Sequence, residues 1–259
     1  MTAALVTGAG KRLGRAMALA LAEDGFDVAV HYATSSEAAD EVAERIRAMG
    51  RQAVTLQADL LQEREVQSLI PRAAEALGAP VTVLVNNASI FEPDSFADGT
   101  RESWDRAMES NLRAPVVLTQ ALAAQCPDPT QDENGEPVAQ GLVVNMIDQK
   151  VRKLTPEFMS YTLAKSALWT FTQTAAQGLA PRVRVNGIGP GPTLKSTHQA
   201  DEVFDAQRQA VLLERGANPD DITGALRFFL SAKAVTGQMI CVDGGQHLAW
   251  ETPDVLDAG

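Results

Sequence analysis

Apolar residues in this chain gather into short, nearly unbroken runs. Between the runs lie longer stretches where they recur every three or four positions. Ala3–Thr7, Val28–His31, Ala53–Gln57, Val81–Val85, Gly141–Met146, Val183–Asn186 and Met239–Val242 predict strands. Continuous apolar character, rather than alternation, is what a strand shows when both faces of its sheet are covered. Helical spacing covers Gly14–Asp24, Glu37–Met49, Glu63–Leu77, Arg101–Gln125, Glu157–Gly178 and Pro219–Leu230. In the first of these, Ala16, Leu19 and Ala20 share a face. Regular alternation of strand and helix predicts βαβ units, and right-handed crossovers turn these into a doubly wound parallel sheet. No composition break divides the chain, so residues 1–259 are expected to form one domain.

Two stretches break the alternation. Residues 127–140 are polar and carry Pro129 and Pro137, which predicts a solvated loop. Residues 190–215 begin irregularly with Gly191 and Pro192 and lead into a short helical stretch near Glu202–Leu213. Loops beyond the carboxyl ends of strands bind ligands in such sheets, so 190–215 is a candidate substrate lid. The tail, 246–259, contains Trp250 and is expected either to close over a neighbouring subunit or to stay mobile.

Composition narrows the function classes. Of 259 residues, 33 are acidic and 22 basic, a formal charge of −11, which opposes general nucleic-acid binding and adsorption to anionic membranes. No apolar run approaches the roughly 20 residues of a membrane helix. The chain enters a strand-like run without a basic flank, so no signal peptide is expected, and the cytoplasm is the expected location. Cys126 and Cys241 match no disulfide framework. His31, His198 and His247 are isolated in sequence, and no metal site is expected.

Candidate chemistry starts at Thr7-Gly8-Ala9-Gly10-Lys11-Arg12-Leu13-Gly14, between the first strand and first helix. Glycines there let backbone approach a pyrophosphate, and the helix N-terminus offers N–H groups and a positive dipole end. After the second strand the chain reads His31-Tyr32-Ala33-Thr34-Ser35. No carboxylate stands where a ribose 2′-hydroxyl would need one, while Lys11 and Arg12 stand in the turn. A 2′-phosphate calls for cationic and hydroxyl donors, so NADPH is expected over NADH. Further on, Tyr161 and Lys165 form Y-x-x-x-K on a helix, one turn apart on one face. A nearby ammonium is expected to lower the phenol pKa and fit the pair for proton transfer.

These motifs occur together with Asp59 after the third strand, Asn86-Asn87-Ala88-Ser89 after the fourth, Asn111 in a long helix, and Gly189-Pro190-Gly191 after the sixth strand. In order and spacing the set resembles the short-chain dehydrogenase/reductase family across nearly the whole chain. The resemblance implies a Rossmann-like sheet of about seven strands with helices on both faces. It implies Tyr161 as proton donor, Lys165 as ribose ligand and Asn111 as holder of a relay water. Around the cofactor it implies Gly8, Lys11, Arg12, Leu13, Gly14, His31, Tyr32, Ser35, Asp59, Leu60, Asn87, Ala88, Ser89, Pro190, Gly191 and Thr193. A homotetramer built through the two long helices is also implied, with Leu163, Ala167, Trp169, Thr170 and Thr174 facing either a partner or the chain's own sheet.

Three positions depart from the family pattern. Arg12 replaces the usual glycine, Ser89 follows Asn-Asn-Ala, and Asp148 replaces the serine that precedes the tyrosine. These departures resemble the pteridine reductase branch, including bacterial dihydromonapterin reductases. That likeness implies Phe91 stacking on a pterin and Ser89 at the cofactor phosphate or the pterin edge. It further implies Asp148 and Tyr161 protonating a ring nitrogen, with Arg12 and Ser35 on the 2′-phosphate. Dihydromonapterin, dihydrobiopterin and dihydrofolate are the implied substrates. A carbonyl reductase acting on a 3-oxoacyl thioester or other ketone is the alternative; a non-catalytic dinucleotide-binding regulator is the alternative of another class.

Overall fold

The computed structural model describes residues 2–195 and 200–250. Its chain order is β1 (Ala3–Val6), α1 (Arg12–Glu23), β2 (Asp27–Tyr32), α2 (Ser36–Ala48), β3 (Ala53–Gln57), α3 (Glu63–Leu77), β4 (Val81–Asn86), α4 (Arg101–Met108), α5 (Ala114–Gln125), β5 (Thr130–Gln131), β6 (Pro137–Val138), β7 (Gly141–Met146), α6 (Met159–Leu179), β8 (Val183–Pro190), α7 (Asp201–Gln209), α8 (Pro219–Ser231) and β9 (Met239–Val242). Seven strands form one sheet in the order β3-β2-β1-β4-β7-β8-β9, and every pairing within it is parallel.

Neighbouring residues on each strand serve opposite cores, because side chains alternate across a sheet. Ala4, Val6, Val28, Val30, Leu142 and Val144 face Met17, Leu21, Val42, Ile46, Leu226 and Phe229. Ala3, Leu5, Ala29, Val143 and Val185 face Leu69, Ile70, Leu118 and Leu122. Helices α1, α2 and α8 therefore cover one face, and α3 and α5 the other. On α6, Leu163 is exposed, whereas Trp169 packs on the chain's own Ile147, Leu168 and Met239.

Several sequence expectations need correction. The helix predicted over 101–125 is broken by a π-helical turn at Glu109–Arg113. Pro115 follows in the first turn of α5; its ring lacks an N–H and crowds the carbonyl four residues back, at Asn111. The loop at 127–140 contains a small antiparallel pair, β5 with β6. Gly189 and Pro190 lie inside β8 rather than after it, paired with Cys241 and Val242. Helix α6 starts at Met159 rather than Glu157, after a left-handed Phe158 (φ 56°). Of the proposed tail, 251–259 lies outside the described residues, as do 196–199 of the proposed lid and with them His198. No helix among the described residues is long and apolar enough to cross a membrane.

Strand order reverses between β1 and β4, the place where such sheets open a crevice for ligand. The turn after β1 is fixed there from several sides. Gly8 has φ 62°, a conformation glycine adopts at little cost. Its N–H donates to His31 Nδ1 at 3.0 Å, and His31 Nε2 lies 3.0 Å from the Ala58 carbonyl. The acceptor role of Nδ1 leaves the proton on Nε2, so one neutral imidazole ties together the ends of β1, β2 and β3. Burial lowers the His31 pKa to about 4. Asn87 Nδ2 donates to the carbonyls of Thr7 (2.8 Å) and Gly8 (3.2 Å), and the N–H groups of Asn87 and Ala88 both reach Thr7 Oγ1.

Two predictions follow from this clasp. A Cβ on Gly14 would lie 2.2 Å from the Gly8 carbonyl oxygen, so Gly14→Ala is expected to cost about 1–3 kcal/mol in urea unfolding. His31 binds its proton less readily when folded than the ordinary pKa of 6.5 allows. Its contribution is therefore intact above pH 6.5 and is lost as pH falls toward 4. Stability at pH 5 is expected to be about 2 kcal/mol lower than at pH 7.5 on this account. His31→Gln should flatten that slope; an identical slope in the variant would exclude His31 as its source.

Candidate active site

A cleft of about 480 Å³ opens beyond the carboxyl ends of β1–β4, bordered by Gly8, His31, Thr34, Asp59, Ala88 and Ser89. Ala33 and Thr34, exposed at the end of β2, bring no carboxylate into it; Asp27 sits at the opposite end of β2, bonded to Gln52 N–H and Arg51. Asp59 accepts from Leu61 N–H at 3.0 Å, while its own N–H donates to Glu65 Oε2 at 2.6 Å, which fixes the turn that carries Leu60. Leu13 and Tyr32 pack against the core, Lys11 is exposed at the N-cap of α1, and Ser35 caps α2 without a side-chain bond. The sequence reading did not single out Thr34, Arg106 or Ser110, which also line the cleft; no spacing signal marks them.

Arg12 and His31 are engaged differently from expectation. Arg12 has φ 54°, and its guanidinium donates to the carbonyls of Lys195 (2.6 Å) and Leu194 (2.8 Å). It thus ties the first turn to the loop after β8 rather than extending along the cleft. His31 has both ring nitrogens occupied behind Gly8, so it positions the turn. Beyond β8, Gly191 N–H donates to the Val242 carbonyl, and Thr193 Oγ1 bonds the Gly191 carbonyl. A side chain at Gly191 would strike Asp243.

Asp148, Tyr161 and Lys165 converge beside Ser89, which lines the cleft. Tyr161 donates its phenol proton to Asp148 Oδ2 at 2.8 Å, and Asp148 Oδ1 accepts the Lys150 N–H at 2.8 Å. Lys165 Nζ donates to the Met146 carbonyl at 2.7 Å and lies 5.6 Å from the centre of the Tyr161 ring. All three groups are poorly hydrated. Burial raises the Asp148 pKa despite the Lys150 N–H, the phenol and the two nearby ammoniums. Burial lowers Lys165 to about 8, with Asp148 acting against it. Tyr161 is raised well above 10 by burial and by the Asp148 carboxylate. The net direction is opposite to the lowering expected from Lys165: the ammonium lies against the ring, while burial and the carboxylate that holds the hydroxyl raise the phenol. The site keeps Tyr161 as a neutral phenol, the form that gives a proton.

Asn111, at the centre of the π turn, accepts from Ser89 Oγ (2.7 Å) and Ile90 N–H (3.2 Å) and donates to the Ile90 carbonyl (3.0 Å). It therefore shapes the segment that presents Ser89. Phe91 stacks on Phe158 with ring centres 4.1 Å apart and meets Tyr161 edge-on at 4.8 Å. The sequence reading missed Phe158 and Asp94. Asp94 is buried, accepts the Ser160 N–H at 3.0 Å and takes the Met159 N–H on its carbonyl. It fixes the start of α6, and so the height of Tyr161. Below the site, Asn86 Nδ2 donates to Asn145 Oδ1 (2.8 Å), and Asn145 Nδ2 to Thr172 Oγ1 (2.9 Å), which locks β4, β7 and α6 together.

The histidines are not all isolated in space. His247 Nδ1 is 2.7 Å from Asp243 Oδ2, and the candidate ligand atoms of Cys241, Asp243 and His247 lie within 4.8 Å of one another. Asp243 also accepts the N–H groups of Gly245 and His247, so its carboxylate is taken up in closing the turn after β9.

Comparison with known proteins matches this arrangement. Residues 8–247 fit the family described as enoyl-(acyl carrier protein) reductase. The 3-oxoacyl-[acyl-carrier-protein] reductase FabG of Staphylococcus epidermidis is 32% identical over 95% of this chain and 98% of its own. FolM alternative dihydrofolate reductase 1 from Brucella canis, solved with NADP, is 43% identical with a TM-score of 0.90, over 98% of this chain and 97% of its own. A short-chain dehydrogenase from Burkholderia cenocepacia, also solved with NADP, is 33% identical with a TM-score of 0.85, over 95% of this chain and 97% of its own. With the family pattern matched from the first turn to the strand β9 and beyond, the chain belongs to the short-chain dehydrogenase/reductase family.

Proposed function

We propose that the protein is an NADPH-dependent pterin reductase. The observation that carries this reading is the part-buried hydrogen bond between Tyr161 and Asp148, set beside Phe91. Likeness to a FolM alternative dihydrofolate reductase solved with NADP supports it. The residues present fit a dinucleotide. Gly8 and Gly14 let α1 approach the turn closely, and no carboxylate at Ala33–Thr34 would repel a 2′-phosphate. Bound NADPH supplies a hydride to the carbon of a C=N bond in a partly reduced pterin and leaves as NADP⁺.

The chain's own groups provide the matching proton. Tyr161, held as a neutral phenol, gives its proton to the ring nitrogen next to that carbon. Asp148, whose carboxyl is held protonated more readily than usual, passes its proton to the phenol oxygen. Lys165 spends one of its three donors on Met146 and keeps the others for a ribose hydroxyl. Its positive charge tempers the phenolate that forms in passing. Ser89 and the open side of Phe91 border the pterin.

The FabG relative favours a second reading, reduction of a 3-oxoacyl thioester. A carboxyl rather than a neutral hydroxyl beside the phenol weighs against it: whenever that group is ionised, it repels the negative charge that develops on a ketone oxygen during hydride transfer.

Tyr161→Phe is expected to lower kcat about 10²–10⁴-fold while leaving NADPH binding, followed by fluorescence titration, close to the parent value. Unchanged turnover would remove Tyr161 as donor. Asp148→Ser is expected to lose dihydropterin reduction. NADPH oxidation should be followed with dihydromonapterin, dihydrobiopterin, dihydrofolate and an acetoacetyl thioester in parallel; turnover of the thioester alone would favour the second reading.

A further inference from the structure

The segment after Asp148 carries three cations in four positions, Lys150, Arg152 and Lys153, on a chain whose formal charge is −11. Several other basic groups at the surface are matched: Arg101 with Asp105, Arg106 with Glu92, Arg113 with Glu63, and Arg227 with Glu23 and Asp24. No ion pair among the described residues involves Lys150, Arg152 or Lys153. The acids nearest in sequence do not neutralise them. Asp148 is engaged by the phenol and the Lys150 N–H, and Glu157 is exposed and makes no ion pair with them.

Lys150 is also held in place. Its ammonium donates to Thr155 Oγ1 at 3.0 Å and lies 5.6 Å from the centre of the Phe158 ring. Phe158 stacks on Phe91, and Phe91 abuts Tyr161. An aromatic wall therefore runs from the proton donor to a fixed cation, with two more cations just beyond it in sequence. Half-exposed Phe91 offers that wall to a ligand. An aromatic wall receives a flat aryl group, and a group of ammoniums and a guanidinium receives carboxylates.

We propose that Lys150, Arg152 and Lys153 receive an anionic substituent of the substrate. The enzyme then favours dihydropterins whose side chain is an aryl group ending in carboxylates, of the dihydrofolate type, over those with uncharged polyol side chains. This rests on the pterin reading of the site and adds the residues that read the tail.

The test compares dihydrofolate with dihydromonapterin, using NADPH and the full-length protein. The parent enzyme is expected to show the higher kcat/KM for dihydrofolate, and its KM for that substrate should rise with added salt. In Lys150→Gln/Arg152→Gln, the ratio of the two kcat/KM values should shift about three- to tenfold toward dihydromonapterin, through KM, with the salt effect reduced. Lys150→Arg should keep most of the preference, which a merely structural role for the lysine stem would not require. Reduction of both pterins with the ratio unchanged in the double variant would overturn the tail site and leave the pterin reading standing. Failure of both pterins alongside turnover of an acetoacetyl thioester would overturn the two together.

Discussion

A buried phenol and a partly buried carboxyl share one hydrogen bond, and much of the surrounding architecture serves to keep them there. Charge is disfavoured on both groups by burial, and the charge of either one raises the pKa of the other. The pair is stable as a proton-holding unit and poor as a dianion. That asymmetry favours proton delivery over proton removal. Lys165 does not reverse it, although its ammonium lowers the Asp148 pKa in part. A serine in place of Asp148 would leave the phenol free of carboxylate repulsion. Under the proposed pterin reading, the aspartate is the residue that would suit the site to a basic ring nitrogen rather than to an oxygen gaining negative charge.

Holding this pair requires three elements that are distant in sequence to meet. Strand β7 ends at Met146, just before Asp148; α6 carries Tyr161 and Lys165; and the β4 loop carries Ser89. The Asn86–Asn145–Thr172 ladder joins these elements beneath the site with buried amide and hydroxyl groups, where an unmade bond would cost about 1–3 kcal/mol. Asp94 fixes the first turn of α6 from the same β4 loop. Phe158, left-handed immediately before that turn, places its ring against Phe91. Polar groups thus set the height of the phenol, and the aromatic pair sets the width of the opening in front of it.

The fold was largely legible in the sequence because its signal is redundant. Seven apolar runs and the helices between them each report the same buried parallel sheet, and α3 begins and ends where its periodicity places it. The convergence of Tyr161, Lys165, Asp148 and Ser89 was legible from motif order. What escaped was set by single contacts with no periodic trace. A proline four residues after Asn111 turned a continuous helical pattern into a π turn. Two glutamine- and proline-containing dipeptide strands formed a hairpin inside a polar loop. Phe158 and Asp94 reach the site through partners more than 60 residues away, Phe91 and Ser160. The direction of the Tyr161 pKa was set by burial and by the Asp148 carboxylate, neither of which helical spacing reports.

Arg12 shows how one departure from the family pattern can be kept. A left-handed backbone costs a residue with a Cβ about 1–2 kcal/mol relative to glycine, and the φ of 54° at Arg12 incurs that cost. Its guanidinium offsets the cost with two hydrogen bonds from a charged donor to the Leu194 and Lys195 carbonyls, a kind of bond worth about 1.5–3 kcal/mol each when well shielded and less at an exposed site. A glycine there would shape the phosphate turn equally well but would leave it unconnected to the loop after β8. With arginine, the turn after β1 and the loop after β8 are held by the same side chain. The residue that breaks the glycine pattern is therefore explained by the loop carbonyls it reaches, rather than by the turn it occupies.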